Sequence, residues 1–187
     1  MTSPAMQPGH SVAGGASGGS SAARLTVLDL DGVCADVRHR LHHLAARPKD
    51  WEAFFADCVD DAPLPMALEI ATAAVSGPGA AALVYLSGRP ERYRAMTTNW
   101  LREHGFPDAP VHLRPNHDRR PARIFKPEVL ARLGGPAAVS MVYDDDVQVV
   151  DALQGLGYAV FHVTWMPAAD MDDQLALFEA QERQGRT

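Results

Sequence analysis

Apolar and polar positions along the chain fall into two alternating patterns. Short runs dense in Leu, Val, Ala and Tyr occur at 25–28 (LTVL), 81–86 (AALVYL), 111–113 (VHL), 138–143 (AVSMVY) and 158–164. Each is too short for a buried helix and rich in strand formers, so each predicts a buried strand. Between them, apolar residues recur at helical spacing and predict helices over 66–76, 91–104, 124–133 and 147–156. Gly77-Pro78-Gly79 ends the first of these and Gly105 the second. Pro127 suits a helix start, which puts Lys126 near the cap of the third. Two shorter helices are expected after the first strand, over 38–46 and 48–59, followed by a loop at 60–65. Trp51, Phe54 and Phe55 form the apolar stripe of the second; Pro48 suits its start and Asp50 its dipole.

Strands alternating with helices predict an α/β fold: a mostly parallel five-stranded sheet with helices on both faces and a small helical insert at about 37–62. Residues 1–23 are Gly, Ser, Ala and Pro with few large apolar groups, which predicts a disordered tail. The globular domain is expected over 24–170, with a C-terminal helix and polar tail over 171–187.

Composition narrows the class. At 187 residues and a net charge of −6, the chain suits one domain with a real core. That charge argues against a protein that coats long nucleic acid, although not against one gripping a single phosphorylated end. The two cysteines, Cys34 and Cys58, form no CxxC pair, which predicts free thiols and fits a reducing cytoplasm. No apolar run reaches the roughly 18 residues of a membrane span. Lysine is scarce: only Lys49 and Lys126 occur among 17 basic residues, so each marks a place where a compact ammonium is favoured.

Candidate chemistry gathers at strand ends. The first strand runs into Asp29 and Asp31, the second into Ser87-Gly88-Arg89, and the fourth into Asp144-Asp145-Asp146. Parallel strands bring all three ends to one edge of the sheet. Five carboxylates there repel one another strongly unless a cation intervenes, and an oxygen-only ligand set suits Mg²⁺. Asp29, held at the strand end, is placed to attack phosphorus as a carboxylate nucleophile. Asp31, two residues on, can protonate the leaving oxygen and then activate water. Ser87 and the Gly88 N–H can hold phosphoryl oxygens, and Lys126 can supply countercharge. Asp144 and Asp145 complete the metal site, with Asp146 a solvated neighbour or helix N-cap. His39, His42 and His43 form a second cluster, without the intervening Glu or further ligand that a metal site would need.

The set DLDGV at 29–33, SGRP at 87–90, Lys126 and YDDD at 143–146 resembles the haloacid dehalogenase superfamily of phosphatases. The resemblance covers 25 to about 165. It implies a Rossmann-like three-layer sandwich, Mg²⁺, and an aspartyl-phosphate on Asp29. It also implies that Asp31 binds metal through its carbonyl. Within the superfamily the chain looks most like the 3′-phosphatase domain of phage-type polynucleotide kinase, through SGRPERYRAMTTNWL, LRPNHDRRPARIFKPEVL and YDDDVQVVDALQGLGY. That likeness makes Arg89 and the basic loop, with Arg114 and Arg120, substrate-binding. No GxxxxGK[ST] occurs, so no kinase activity is expected. The implied substrate is a phosphorylated nucleic-acid end. The alternatives are a small-molecule phosphatase such as a nucleotidase and, least favoured, a non-catalytic nucleotide-binding module.

Overall fold

The computed structural model describes residues 24–45, 48–76 and 82–166. The expected N-terminal tail and C-terminal helix lie outside these residues.

Five strands form one parallel sheet. In chain order its members are β1 (Leu25–Leu28), β4 (Ala82–Pro90), β5 (Val111–Arg114), β6 (Val139–Asp144) and β7 (Val160–His162), arranged β5-β4-β1-β6-β7. Successive strand residues point to opposite faces, so each strand feeds two cores. Leu28, Leu83 and Tyr85 pack on one side with Ala67, Ala71, Trp100 and Leu101 of helices α3 (Pro65–Val75) and α4 (Arg94–Glu103). Val27, Val84, Leu86 and Val142 pack on the other with Phe125, Val129, Leu130, Val149 and Leu153 of α5 (Ala122–Arg132) and α6 (Val147–Gly155). The result is the expected three-layer sandwich, with a parallel sheet covered on both faces.

Register sets up the site. Leu28 lies between Tyr85 of β4 and Tyr143 of β6. The residues that follow on β1 and β6 are therefore Asp29 and Asp144, side by side where β1 ends.

The insert departs from expectation. Its ends are tied together by an unforeseen antiparallel pair, β2 (Ala35–Asp36) with β3 (Ala62–Pro63). The expected helix at 38–46 begins as a 3₁₀ turn, Arg38–Arg40, because Asp36 accepts both the Arg38 N–H at 3.1 Å and its guanidinium at 2.9 Å. One α-helical turn, α1 (His42–Ala45), follows. The next helix, α2 (Trp51–Ala56), starts after Pro48 because Asp50 is its N-cap, accepting from the Ala53 N–H at 2.9 Å. A 3₁₀ turn, Asp57–Asp60, completes the insert. Trp51, Phe54, Phe55, Leu41, Leu44 and Tyr93 form its small core.

Two further boundaries moved. β4 continues past Leu86 through Ser87-Gly88-Arg89 because β5 keeps pairing with it at Ser87 and Pro90, with a register irregularity between. Helix α5 begins five residues before Pro127, so that proline sits inside it. It forgoes one backbone hydrogen bond there, and burial of Phe125, Val129 and Leu130 sustains the helix.

Candidate active site

Two buried charge clusters meet at the end of β1. The first is built on Lys126. From the second turn of α5 its ammonium reaches Asp29 Oδ2 at 2.8 Å and Asp144 Oδ2 at 2.7 Å. Asp145 completes it: one carboxylate oxygen each from Asp29, Asp144 and Asp145 lie within 4.8 Å of one another. Gly32 makes room for this approach. Its φ of +81° is a left-handed conformation, and a Cβ there would stand 2.2 Å from Asp145 Oδ2. Asp146 is the N-cap of α6, accepting from the Gln148 N–H at 2.9 Å, and is buried rather than solvated.

Three carboxylates and one ammonium leave this cluster with excess negative charge. Burial pushes Asp29 up to about 7, against the pull of Lys126 and with a further push from Asp144. Burial, with Asp29 and Asp144 beside it, likewise drives Asp145 well above the usual carboxylate range. Burial alone would lower Lys126, but Asp144 and Asp29 more than reverse that and keep it charged. Asp29 Oδ1 is buried with no hydrogen-bond partner among the described residues. An all-oxygen set with excess negative charge and an orphaned oxygen fits a hard divalent cation.

The second cluster is self-neutral. Asp31 Oδ1 accepts from Arg40 Nη2 at 2.7 Å and from Arg89 Nε at 2.8 Å. Asp61, from the end of the insert, accepts from Arg40 Nε at 2.6 Å and Arg89 Nη2 at 2.8 Å. Two carboxylates thus share two guanidinium groups, all almost fully buried. Burial would raise Asp31, but Arg40 and Arg89 overcome it and hold the carboxyl well below its usual range. Asp31 Oδ2 and Arg89 Nη1 remain buried without a partner among the described residues. The Arg40 guanidinium also lies 4.2 Å from the Phe54 ring centroid and donates to Phe54 O, which anchors it in the insert's core.

Sequence reasoning missed Arg40 and Asp61. Arg40 sits in a run of Arg and His that reads as a solvated face, and Asp61 is indistinguishable by composition from the exposed Asp60 beside it. The β2–β3 pairing that carries both inward had no sequence signal beyond a Pro-rich loop.

The remaining expected residues are placed as follows. Ser87 is buried at the turn of β4, its Oγ accepting the Arg89 N–H at 3.2 Å, so its own hydrogen stays available. Gly88 lies beside it. Arg114 is buried, its guanidinium donating to Gly88 O at 3.0 Å and to Arg120 O. Arg120 is held by Asp118 at 2.8 Å and Glu128 at 2.6 Å. Both are thus tied to acceptors of this chain in and around the basic loop. His39 pairs with Asp61 at 2.9 Å and His43 with Asp57 at 2.7 Å. The Asp29, Asp144 and Asp145 group is the one metal-competent cluster among the described residues.

Comparison with known proteins bears on the fold and the family. No curated protein matches the chain. A Pnkp1 chain in the structure of a Pnkp1/Rnl/Hen1 RNA repair complex superposes with a TM-score of 0.65 at 21% identity, covering 80% of this chain and 45% of that one. This chain thus spans less than half the length of that protein. A class C acid phosphatase from Bacillus anthracis with tungstate bound gives 0.56 at 15% identity, covering 86% and 80%. A haloacid dehalogenase-type enzyme from Bacteroides thetaiotaomicron, in complex with magnesium and inorganic phosphate, gives 0.50 at 12% identity, covering 79% and 98%. These likenesses fix the fold. The family model described as the polynucleotide kinase PNKP phosphatase domain matches residues 23–165, and the chain belongs to that family of haloacid dehalogenase-type phosphatases.

Proposed function

We propose that the chain is a magnesium-dependent phosphomonoesterase that removes 3′-phosphates from polynucleotide ends through an aspartyl-phosphate on Asp29. The observation that carries this reading is the state of Asp29. One oxygen is held by Lys126 and the other is buried and unpartnered, with a second carboxylate, Asp31, two residues on.

In the first half-reaction a carboxylate oxygen of Asp29 bonds to phosphorus as the bond to the leaving oxygen breaks. The Ser87 hydroxyl and the Gly88 N–H donate to the phosphoryl oxygens, and Lys126 offsets their charge. Asp31 gives a proton to the leaving oxygen. The arginine clamp opposes protonation of Asp31, but a phosphate that draws the free Nη1 of Arg89 toward itself weakens that opposition. In the second half-reaction Asp31 takes a proton from water, which attacks phosphorus and frees Asp29. Asp29, Asp144, Asp145 and the Asp31 carbonyl would hold magnesium, whose role is to neutralise charge on the transferring phosphoryl group.

The polynucleotide substrate is supported by the family and by the similar chain that works within an RNA repair complex. The test is a magnesium-dependent assay across 3′- and 5′-phosphorylated oligonucleotides and mononucleotides. The expected result is fastest hydrolysis at the 3′-phosphorylated oligonucleotide. Equal rates on mononucleotides would instead make the protein a nucleotidase.

A further inference from the structure

Asp61 has one donor that the balance of charge in its cluster does not require. Its Oδ1 accepts from Arg40 Nε at 2.6 Å, and its Oδ2 accepts from Arg40 Nη2 at 2.7 Å and Arg89 Nη2 at 2.8 Å. Both arginines also donate to Asp31 Oδ1. The remaining donor is of another kind. His39 Nε2 lies 2.9 Å from Asp61 Oδ1, the oxygen that Arg40 Nε already uses. An ionised carboxylate only accepts, so Nε2 carries the hydrogen. The imidazole is also the one member of the group that reaches the surface. Its side chain is 39% exposed, whereas Asp61, Arg40 and Arg89 are fully enclosed. It borders a surface recess lined by Asp36, Arg38, Asp60 and Ala62. Its backbone is fixed in the 3₁₀ turn Arg38–Arg40, and its carbonyl pairs with His42 Nδ1 at 2.9 Å.

We infer that His39 is a positioning residue for the proton transfer, acting on Asp31 through Asp61 and Arg40, which rests on the reading of Asp31 as proton donor given above. Asp61 grips Arg40 at two points, and a two-point contact fixes the plane of a guanidinium as well as its place. The second hydrogen of Arg40 Nη2 is thereby aimed at Asp31 Oδ1, 2.7 Å away. Arg89 holds the same oxygen. Asp31 Oδ2 is left buried and without a partner among the described residues, so it is the oxygen free to carry the proton. Three of the four bonds to Asp61 come from arginines that are also drawn to Asp31, and these alone would let the carboxylate follow them. His39 pulls on it from the exposed side and removes that freedom. Small displacements matter here, since moving a reacting group by about 1 Å can cost on the order of 10²-fold in rate.

The test measures kcat/KM, with magnesium present, for a series of para-substituted phenyl phosphates from nitro to methoxy. Wild type is compared with His39→Leu, His39→Ala and His39→Gln. This parameter covers the half-reaction in which the leaving oxygen departs. A nitrophenolate leaves readily as the anion, whereas a methoxyphenolate depends on receiving a proton. With its acid in place, wild type should show a shallow dependence on leaving-group basicity. His39→Leu and His39→Ala should steepen it, so that the methoxyphenyl ester loses about tenfold more than the nitrophenyl ester. His39→Gln, whose amide N–H can reach the same oxygen, should restore most of the wild-type slope. A merely structural role would lower the amount of active enzyme and so every rate equally, leaving the slope unchanged. A shallow wild-type slope that His39→Leu and His39→Ala share overturns the inference alone, as does a His39→Gln slope as steep as the steepened ones. A wild-type slope that is already steep overturns the reading of Asp31 as proton donor, and the inference with it.

Discussion

The two charge clusters at the end of β1 are built from the same kinds of residue and behave oppositely. Asp29, Asp144 and Asp145 share one ammonium, so they carry excess negative charge and an orphaned oxygen. Asp31 and Asp61 share two guanidinium groups and come out neutral. The first cluster is incomplete as protein and is organised for something that arrives. The second balances its own charge, with only Asp31 Oδ2 and Arg89 Nη1 left unpartnered among the described residues, and holds in place the group proposed to transfer the proton. A buried charge is costly unless matched, and the two clusters use different partners for the match.

The largest expected effect that tests this contrast is on catalysis. Asp29→Asn should lower turnover by at least about 10⁴-fold while leaving thermal stability unchanged or raised in metal-free buffer, because burial already disfavours that charge. Steady-state rates and calorimetry on the same preparation check both halves. Substitution in the neutral cluster should cost stability instead. Asp61→Ala leaves two buried guanidinium groups with one carboxylate, and should lower the unfolding free energy by about 3–5 kcal/mol in urea titrations. If Asp61→Ala were as stable as wild type, the cluster would not be the matched set described here.

Ligand response is the next effect in size. Magnesium at about a hundred times its dissociation constant should stabilise wild type by about 2.7 kcal/mol. That gain should vanish in Asp145→Asn. The smallest effect is the pH dependence in metal-free buffer, where the clusters should slope in opposite directions. Asp29 rises from 3.8 to about 7 on folding, so the native state binds the extra proton between those values. Its contribution is therefore present below about 4 and lost as pH rises to about 7. Asp31 is held below 3.8, so its contribution is present above that value and lost as pH falls beneath it. Urea midpoints across this range, for wild type and Asp29→Asn, separate the two: Asp29→Asn should reduce the loss toward neutral pH, leaving the share that belongs to Asp145, and keep the loss toward acid.

Much of this was legible in the sequence, for a local reason. Each strand is a short apolar run, and each catalytic candidate on the sheet sits within a few residues of where its run stops. The neighbours Asp29, Ser87 and Asp144 follow from strand order alone, and Lys126 stood out because lysine is rare. What the sequence did not carry was long-range pairing of polar residues. Arg40 and Asp61 lie 21 positions apart, and nothing in a periodicity distinguishes a buried guanidinium from a solvated one. The same limit applies to Arg114 and Arg120: their charge was visible, but not their hydrogen bonds to Gly88 O, Asp118 and Glu128. Pro127 misled for a related reason, since the core contacts that hold α5 together across it are tertiary.

Arg40 and Asp61 both come from the insert, and this limits how the molecule can be rebuilt. A segment of this size between two strands invites treatment as an exchangeable module, to be trimmed for a smaller enzyme or traded for a larger one. Here the body of the enzyme cannot lend it out. Without that segment, Asp31 and Arg89 would keep only each other, and Asp31 would lose the second guanidinium that fixes its position. Any transplanted replacement must bring its own guanidinium and carboxylate to the same two points, so recombination across this boundary is constrained by charge before it is constrained by shape.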